Sequence, residues 1–310
     1  MPADPLSSLE VRRAARAAVK ILRDSGYECC LFGSAACSIY GMSRRDPNDV
    51  DLIVLDDEVH AEDIKDLLVE ADDRFYLKRS VNPQATYRVL WYALRVNAKG
   101  RKTRSCKVDI LTPGDSTDLQ IPFVPSSRIA YVQRYRDLPL MPFMCTLLMK
   151  LRGWEDHVDS EKEYMQEKEP VDVDDLDELL DMAKDNYSVR VNSPSEQWMP
   201  DWFIEESRRR VARFIEDYPG FEQGWADVGF VFSWQVALSR LSPELLLSLF
   251  FSQITRITIT IILYRIHTHE STCSHIDEYY TPKQWEDVFF HGDDSHGTTV
   301  FERFWVRLPL

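Results

Sequence analysis

The sequence predicts an α+β fold: a small mixed β-sheet with flanking helices, followed by a helical C-terminal half. Three observations predict it. Short apolar runs bounded by turn residues recur up to Pro113, alternating at first with helical patterns. Their order, β-α-β-α-β-β-β, suits a compact mixed sheet. Beyond Pro113 the texture changes, first to proline-rich segments and then to apolar spacing of helical period.

The elements follow in order. Over residues 8–25, Val11, Ala14, Ala15, Ala18, Val19 and Leu22 fall at helical spacing, with Arg12, Arg13, Arg16, Lys20 and Arg23 largely opposite. Gly26 ends that helix. The run YECCLF, 27–32, suits a buried strand, which Gly33 breaks. SAACSIYG then reads as a short helix, with Ser34 as N-cap and Gly41 as its stop. The loop MSRRDPN leads into the β-branched strand DVDLIVL, 49–55. Acid-rich 57–72 is a helix with Ile64, Leu67 and Leu68 inward. FYLKRS and TYRVLWYAL are strands joined through VNPQA; NAKGRKTRS is a basic turn; CKVDILTP, 106–113, is a strand stopped by Pro113. This organisation gives a first domain over 1–115, a Pro-rich connector over 116–140 and a helical domain over 141–235. Helices are expected at 142–153, 173–186 and 199–217, with an acidic loop over 155–170. Residues 236–310 form a poorly patterned tail that fits no single secondary structure, and translated non-coding sequence is one reading of it.

Composition narrows the function. A 310-residue chain that is 44% hydrophobic can bury a real core. The net charge of −14 opposes non-specific binding of long nucleic acid. Charge is nearly balanced over residues 1–110, whereas acids outnumber bases two to one over 111–200. The six cysteines lack framework spacing, and no apolar run follows Met1, which favours a cytoplasmic or nuclear location. The run from Pro243 to Tyr264 is long enough to span a membrane, but Gln253 and Arg256 lie at its centre. An arginine there costs about 2.5–3.5 kcal/mol, so no membrane span is expected.

The chemistry concentrates in GSAACSIYGMSRRDPNDVDLIVL, 33–55. Residues i and i+2 of a strand share a face, so Asp49 and Asp51 project together, about 7 Å apart along the chain. Val50, Leu52 and Val54 take the buried face. Two like charges side by side call for a neutralising partner, and Mg²⁺ takes carboxylate oxygens well. Gly33 lets the backbone approach a ligand closely, and Ser34 opens a helix whose free N–H groups favour phosphate. A third acid, Asp109, lies in the apolar strand KVDIL. An adjacent strand could bring it beside the pair. Three carboxylates can hold two ions about 3.5–4 Å apart, as in-line phosphoryl displacement requires, with Asp109 the candidate base.

The order apolar strand, Gly33-Ser34, helix, Asp49-Val50-Asp51, then Asp109 resembles the DNA polymerase beta-like nucleotidyltransferase superfamily, over roughly residues 8–113. The resemblance implies that 1–115 is a catalytic domain using Mg²⁺ (or Mn²⁺) and a nucleoside triphosphate. Asp49, Asp51 and Asp109 would be its metal-holding and catalytic acids, and Gly33 and Ser34 would hold nucleotide phosphates. LLMKLRGW, then Lys168, then DVDDLDELL is similar to the helical half of stand-alone nucleotidyltransferases found as bacterial toxins. That similarity implies a phosphate-binding role for Lys150. The implied reaction moves a nucleoside monophosphate to an acceptor hydroxyl: RNA, a protein side chain or a small molecule. Net charge favours a cationic or small acceptor. Alternatives are a nucleotide-binding module without turnover and an acidic interaction protein.

Other features read as structural. The basic run Lys99, Arg101, Lys102 and Arg104 is a solvated hairpin tip, with steering of a nucleotide or RNA as its alternative. RRRVAR, 208–213, is the wet face of a helix, and Tyr87 and Trp91 fill the core. HTHESTCSH carries ligand-type side chains without a zinc spacing.

Overall fold

The computed structural model describes residues 5–80, 86–96, 102–114 and 119–231, which belong to one compact unit. The first helix, α1 (Ser8–Asp24), buries Val11, Ala14, Ala15, Ala18, Val19 and Leu22, the stripe its spacing predicts. A capping box fixes its start: the Ser7 side chain accepts from the Glu10 amide, and Glu10 reaches back to the Ser7 amide. Arg104 also binds the Glu10 carboxylate, Nε at 2.5 Å and Nη2 at 2.7 Å. The guanidinium lowers the Glu10 carboxyl from 4.5 to about 2. A lowered carboxyl adds stability that is present above its unfolded value and lost as pH falls through the folded one. Glu10→Gln is therefore expected to cost about 1 kcal/mol at neutral pH, because the pair is partly solvated. The cost should vanish as pH falls from 4.5 to about 2, a trend that urea melts at pH 7, 4 and 3 would read.

After α1 come β1 (Cys29–Phe32), α2 (Gly33–Tyr40), β2 (Asp49–Val54), α3 (Ala61–Ala71), β3 (Phe75–Arg79), β4 (Arg88–Val96) and β5 (Lys102–Leu111). The strand order is β1-β2-β5-β4-β3. Only β2 and β5 run parallel; the other pairs are antiparallel, so the sheet is mixed as expected. One face buries Val50, Leu52, Leu90, Tyr92, Val108 and Ile110 under α1 and α3. The opposite face carries Asp49, Asp51, Trp91, Lys107 and Asp109, all half-buried.

Some boundaries differ from expectation. The third helix starts at Ala61, not 57, because the Asp56 carboxylate accepts from the Glu58 amide and holds a turn there. The strand expected from Cys106 begins at Lys102, since cross-strand pairing with β4 continues past the basic residues. The segment 116–140, so far as it is described, is more than a connector. It buries Ile121, Val124, Leu138 and Leu140. It also covers the edge of β1: the Leu31 amide donates to the Pro139 carbonyl and the Met141 amide to that of Leu31, each at 2.8 Å.

The acidic stretch 155–170 is not a loop. Helix α4 (Phe143–Val158) runs into it, α5 (Glu163–Gln166) lies within it, and α6 (Glu169–Met182) starts before its end. Three of its acids, Glu155, Asp156 and Asp159, pair with arginines. Glu155, 7% exposed, accepts from Arg209, Arg210 and Arg213 of α7 (Asp201–Asp217). Burial works against ionisation of Glu155, and the Arg209 and Arg210 hydrogen bonds outweigh it, so its carboxyl sits below the ordinary range. The RRRVAR segment is thus only partly a wet face: Arg208 and Arg209 are exposed, whereas Arg210 is buried, and Arg209, Arg210 and Arg213 all bind Glu155. Helix α6 passes into a π-turn (Ala183–Tyr187), whose Tyr187 hydroxyl donates to the Tyr40 carbonyl at the end of α2. A last short helix, α8 (Glu222–Asp227), closes the described chain.

Cys29, Cys30, Cys37, Cys106 and Cys145 are buried free thiols. Among the described residues no helix is long and apolar enough to cross a membrane. The 236–310 tail, the 243–264 apolar run, HTHESTCSH, VNPQA, Lys99 and Arg101 lie outside the described residues.

Candidate active site

Register brings the three acids together. β2 and β5 are parallel neighbours with Asp51 opposite Asp109 and Asp49 opposite Lys107. Paired positions share a face, and so do i and i+2. Asp49, Asp51 and Asp109 therefore converge, each offering a carboxylate oxygen, with all three oxygens within 4.8 Å of one another. Burial of Asp51, with Asp49 and then Asp109 beside it, pushes its carboxyl well above the usual range. Lys107 supplies a counter-charge, its Nζ 2.6 Å from Asp109 Oδ2. Burial opposes the charge of Lys107, and Asp109 with Asp49 and Asp51 more than restores it. Three acids against one ammonium leave a negative focus that suits a divalent cation.

Gly33 stands at the turn from β1 into α2 with φ +63. A Cβ there would sit inside the Asp51 carboxylate, overlapping Oδ2 and 3.0 Å from Cγ. Glycine is thus required twice, by its left-handed backbone and by the acid against it. Ser34 is not the N-cap of the helix. Phe32 occupies that position without a side-chain cap, and the Ser34 hydroxyl instead lies 3.4 Å from Asp49 Oδ1. The cap falls two residues earlier than propensity suggests because Gly33 can take the left-handed bend. The first turn of α2 still faces the acids.

A cavity of about 550 Å³ joins these groups, lined by Gly33, Ser34, the three acids and, across from them, Lys150 and Lys168. Lys150, on α4, is held 2.6 Å from Asp175 Oδ2 and 3.6 Å from Asp172 Oδ1. Burial works against its charge; Asp175 and Asp172 outweigh burial and hold the ammonium above its ordinary value. Arg45 grips the same Asp175 through Nε at 2.9 Å and Nη2 at 2.6 Å. Its neighbours fasten the 42–48 loop to α6: the Ser43 amide donates to Glu178, and Arg44 pairs with Asp177. The acids of DVDDLDELL thus close the cavity from within the chain.

Sequence reasoning missed Arg45, Asn48, Lys107, His157 and Asp172, which also belong to this neighbourhood. Only Lys107 had a usable signal, its i−2 spacing from Asp109 on the same strand face. Tyr87 and Trp91 do not fill the core: Tyr87 is 54% exposed, and Trp91 is half-buried on the uncovered face of the sheet. Of the basic run, Arg104 is bound to Glu10.

No family model matches the sequence, and no curated protein does. Solved structures do. An antigenic nucleotidyltransferase-like protein from Paracoccidioides brasiliensis superposes with a TM-score of 0.51 at 16% identity, covering 72% of this chain and 95% of its own. A candidate nucleotidyltransferase from Helicobacter pylori gives 0.39 at 14% identity, covering 73% and 84%. JHP933 from the same species gives 0.38 at 13% identity, covering 83% and 97%. The first likeness shows the fold, one shared with a nucleotidyltransferase-like protein; the other two, below 0.5, add nothing to it.

Proposed function

We propose that this chain is a metal-dependent nucleotidyltransferase that moves a nucleoside monophosphate from a nucleoside triphosphate to an acceptor hydroxyl. A fold does not carry an activity, so the proposal stands on the site. The observation that carries it is the convergence of three carboxylates within 4.8 Å beside the first turn of a helix. The donor set is all oxygen and its negative charge exceeds that of its one lysine, which fits Mg²⁺ or Mn²⁺. Such ions, when bound, would neutralise the triphosphate and activate the attacking hydroxyl.

The residues divide the remaining work. Gly33, Ser34 and the free amides of α2 receive the phosphates, with Lys150 and Lys168 on the opposite wall. The acceptor oxygen forms its bond to the α-phosphorus as the bond to the β-phosphate oxygen breaks, and pyrophosphate leaves. The hydroxyl proton passes to Asp109, the acid at the rim shared with a second cavity. The acidic-partner reading loses its motive, because Asp172, Asp175, Asp177 and Glu178 are engaged inside the chain.

Calorimetric titration with ATP, CTP, GTP and UTP, with and without Mg²⁺, tests the binding. Incubation with α-labelled nucleotides and cell extract tests the transfer. Mg²⁺-dependent binding of at least one triphosphate, with label moving to an acceptor, is expected. Binding without any transfer would leave a nucleotide-binding module; no Mg²⁺-dependent binding would overturn the reading.

A further inference from the structure

Three arginines meet around one tyrosine, away from the acids. Helix α1 packs on the sheet face opposite Asp49, Asp51 and Asp109. Its Arg12 and Arg16 are four residues apart, so both project from one side of the helix. The short turn Gln133–Tyr135 brings Arg134 and Tyr135 against them. The guanidinium carbons of Arg12, Arg134 and Arg16 lie 4.9, 5.4 and 5.9 Å from the centre of the Tyr135 ring. A ring face attracts cations but cancels none of their charge. One acid answers them: Asp137 accepts from Arg16, and that hydrogen bond holds the Asp137 carboxyl below its ordinary range. Arg12 and Arg134 have no carboxylate partner among the described residues. Arg12 Nε is moreover buried without an acceptor, which is costly for a charged donor. The chain has a net charge of −14 and finds acids for Arg45, Arg88, Arg104 and Arg213. Two unpaired guanidiniums sharing one ring need another reason.

We propose that Arg12, Arg16, Arg134 and Tyr135 form a binding site for a phosphate group, either free phosphate or that of a nucleoside monophosphate. The proposal goes beyond the nucleotidyltransferase reading and does not rest on it. None of the four residues lines the cavity that holds the acids. The site opens to solvent: Arg134 is exposed, and Arg12, Arg16 and Tyr135 are half-buried. Its charge selects the ligand. A phosphate dianion matches the two unpaired guanidiniums, whereas a single carboxylate matches one, and Asp137 already supplies a carboxylate to Arg16. Planar N–H forks fit phosphate oxygens two at a time, and guanidinium sheds water more readily than an ammonium does. Tyr135 limits the motion of the side chains that rest on it, so less freedom is lost when the anion arrives. Both unpaired arginines anchor on the same ring, so one ligand can engage both.

The test uses the full chain in metal-free buffer, where the three acids repel phosphate from their own cavity. Thermal midpoints are read against inorganic phosphate and against adenosine monophosphate, with chloride holding ionic strength constant. A saturable rise is expected for the wild type. Arg12→Gln with Arg134→Gln should weaken the apparent affinity tenfold or more. Arg134→Gln alone, at an exposed position that the fold does not need, should weaken it severalfold. Lys20→Gln removes a charge from the same helix away from the ring and should leave the affinity unchanged. Tighter binding of the monophosphate than of phosphate supports the site with a nucleotide as its source; equal binding supports it with phosphate alone. An undiminished saturable response in both arginine variants overturns the proposal. So does an equal loss in Lys20→Gln, which would mean a diffuse field. A rise that never saturates and is the same in every variant is general stabilisation by excluded anions, and it overturns the proposal too. Mg²⁺-dependent triphosphate binding should persist in the arginine variants, so failure here leaves the nucleotidyltransferase reading standing.

Discussion

Asp51→Asn is expected to lower nucleotidyl transfer at least about a thousandfold, roughly 4 kcal/mol of transition-state stabilisation. Its thermal stability without metal should hold or rise. The reason is the crowding of Asp51, whose carboxyl burial and its two acidic neighbours push upward. A carboxyl raised on folding binds its proton more tightly in the native state, so stability falls as pH climbs from its unfolded value toward its folded one. Asparagine removes that penalty. Differential scanning fluorimetry from pH 4 to 8, with and without Mg²⁺, gives the signature. The wild type should gain more from Mg²⁺ than the variant does, because an ion that binds only the native state stabilises it by mass action. A variant that loses stability markedly in metal-free buffer, with its response to Mg²⁺ unchanged, would show the acid to be structural.

Gly33→Ala is expected to damage both fold and chemistry. The backbone there is left-handed at φ +63, and the new methyl would overlap the Asp51 carboxylate. Backbone strain of this kind costs about 1–3 kcal/mol, and moving Asp51 should lower transfer about a hundredfold or more. Gly41→Ala is the matched control. Gly41 is also left-handed, at φ +124, but a Cβ there meets only Met182 Cε at 3.8 Å. It should lose stability and keep its Mg²⁺ response. Equal losses of that response in both variants would mean that the fit of Gly33 against Asp51 has no special role.

The sheet and its acids were legible because period-2 geometry is local: Asp49 and Asp51 announce a shared face, and Val108-Asp109-Ile110 marks an acid out of place. The α1 stripe was legible for the same reason at period 3.6. What was not legible depends on partners distant in the chain. An acidic run reads as solvated until Arg209, Arg210 and Arg213 arrive from α7 to hold Glu155. Likewise, nothing local to Lys150 announces that Asp172 and Asp175 flank it. Tyr87 and Trp91 were misread because an aromatic in a strand is assigned to the core, whereas this sheet leaves one face partly uncovered. The missing Ser34 cap came from a two-residue shift of the helix start, to Phe32 as cap.

The parallel pairing of β2 with β5 also sets an order of assembly. β3, β4 and β5 are antiparallel neighbours formed from adjacent segments, so they can zip as a meander early in folding. β1 and β2 likewise form a local antiparallel pair. The seam between the two blocks joins Asp51 to Asp109, 58 residues further along the chain, and closing so long a loop is slow. During synthesis, β2 leaves the ribosome with one edge bare and waits for β5. The last seam to close is the one that sets the three like charges side by side, and a divalent cation present at that moment would favour closure. Refolding rate should thus respond to Mg²⁺ when the seam forms in the transition state, whereas a metal bound only afterwards would slow unfolding alone.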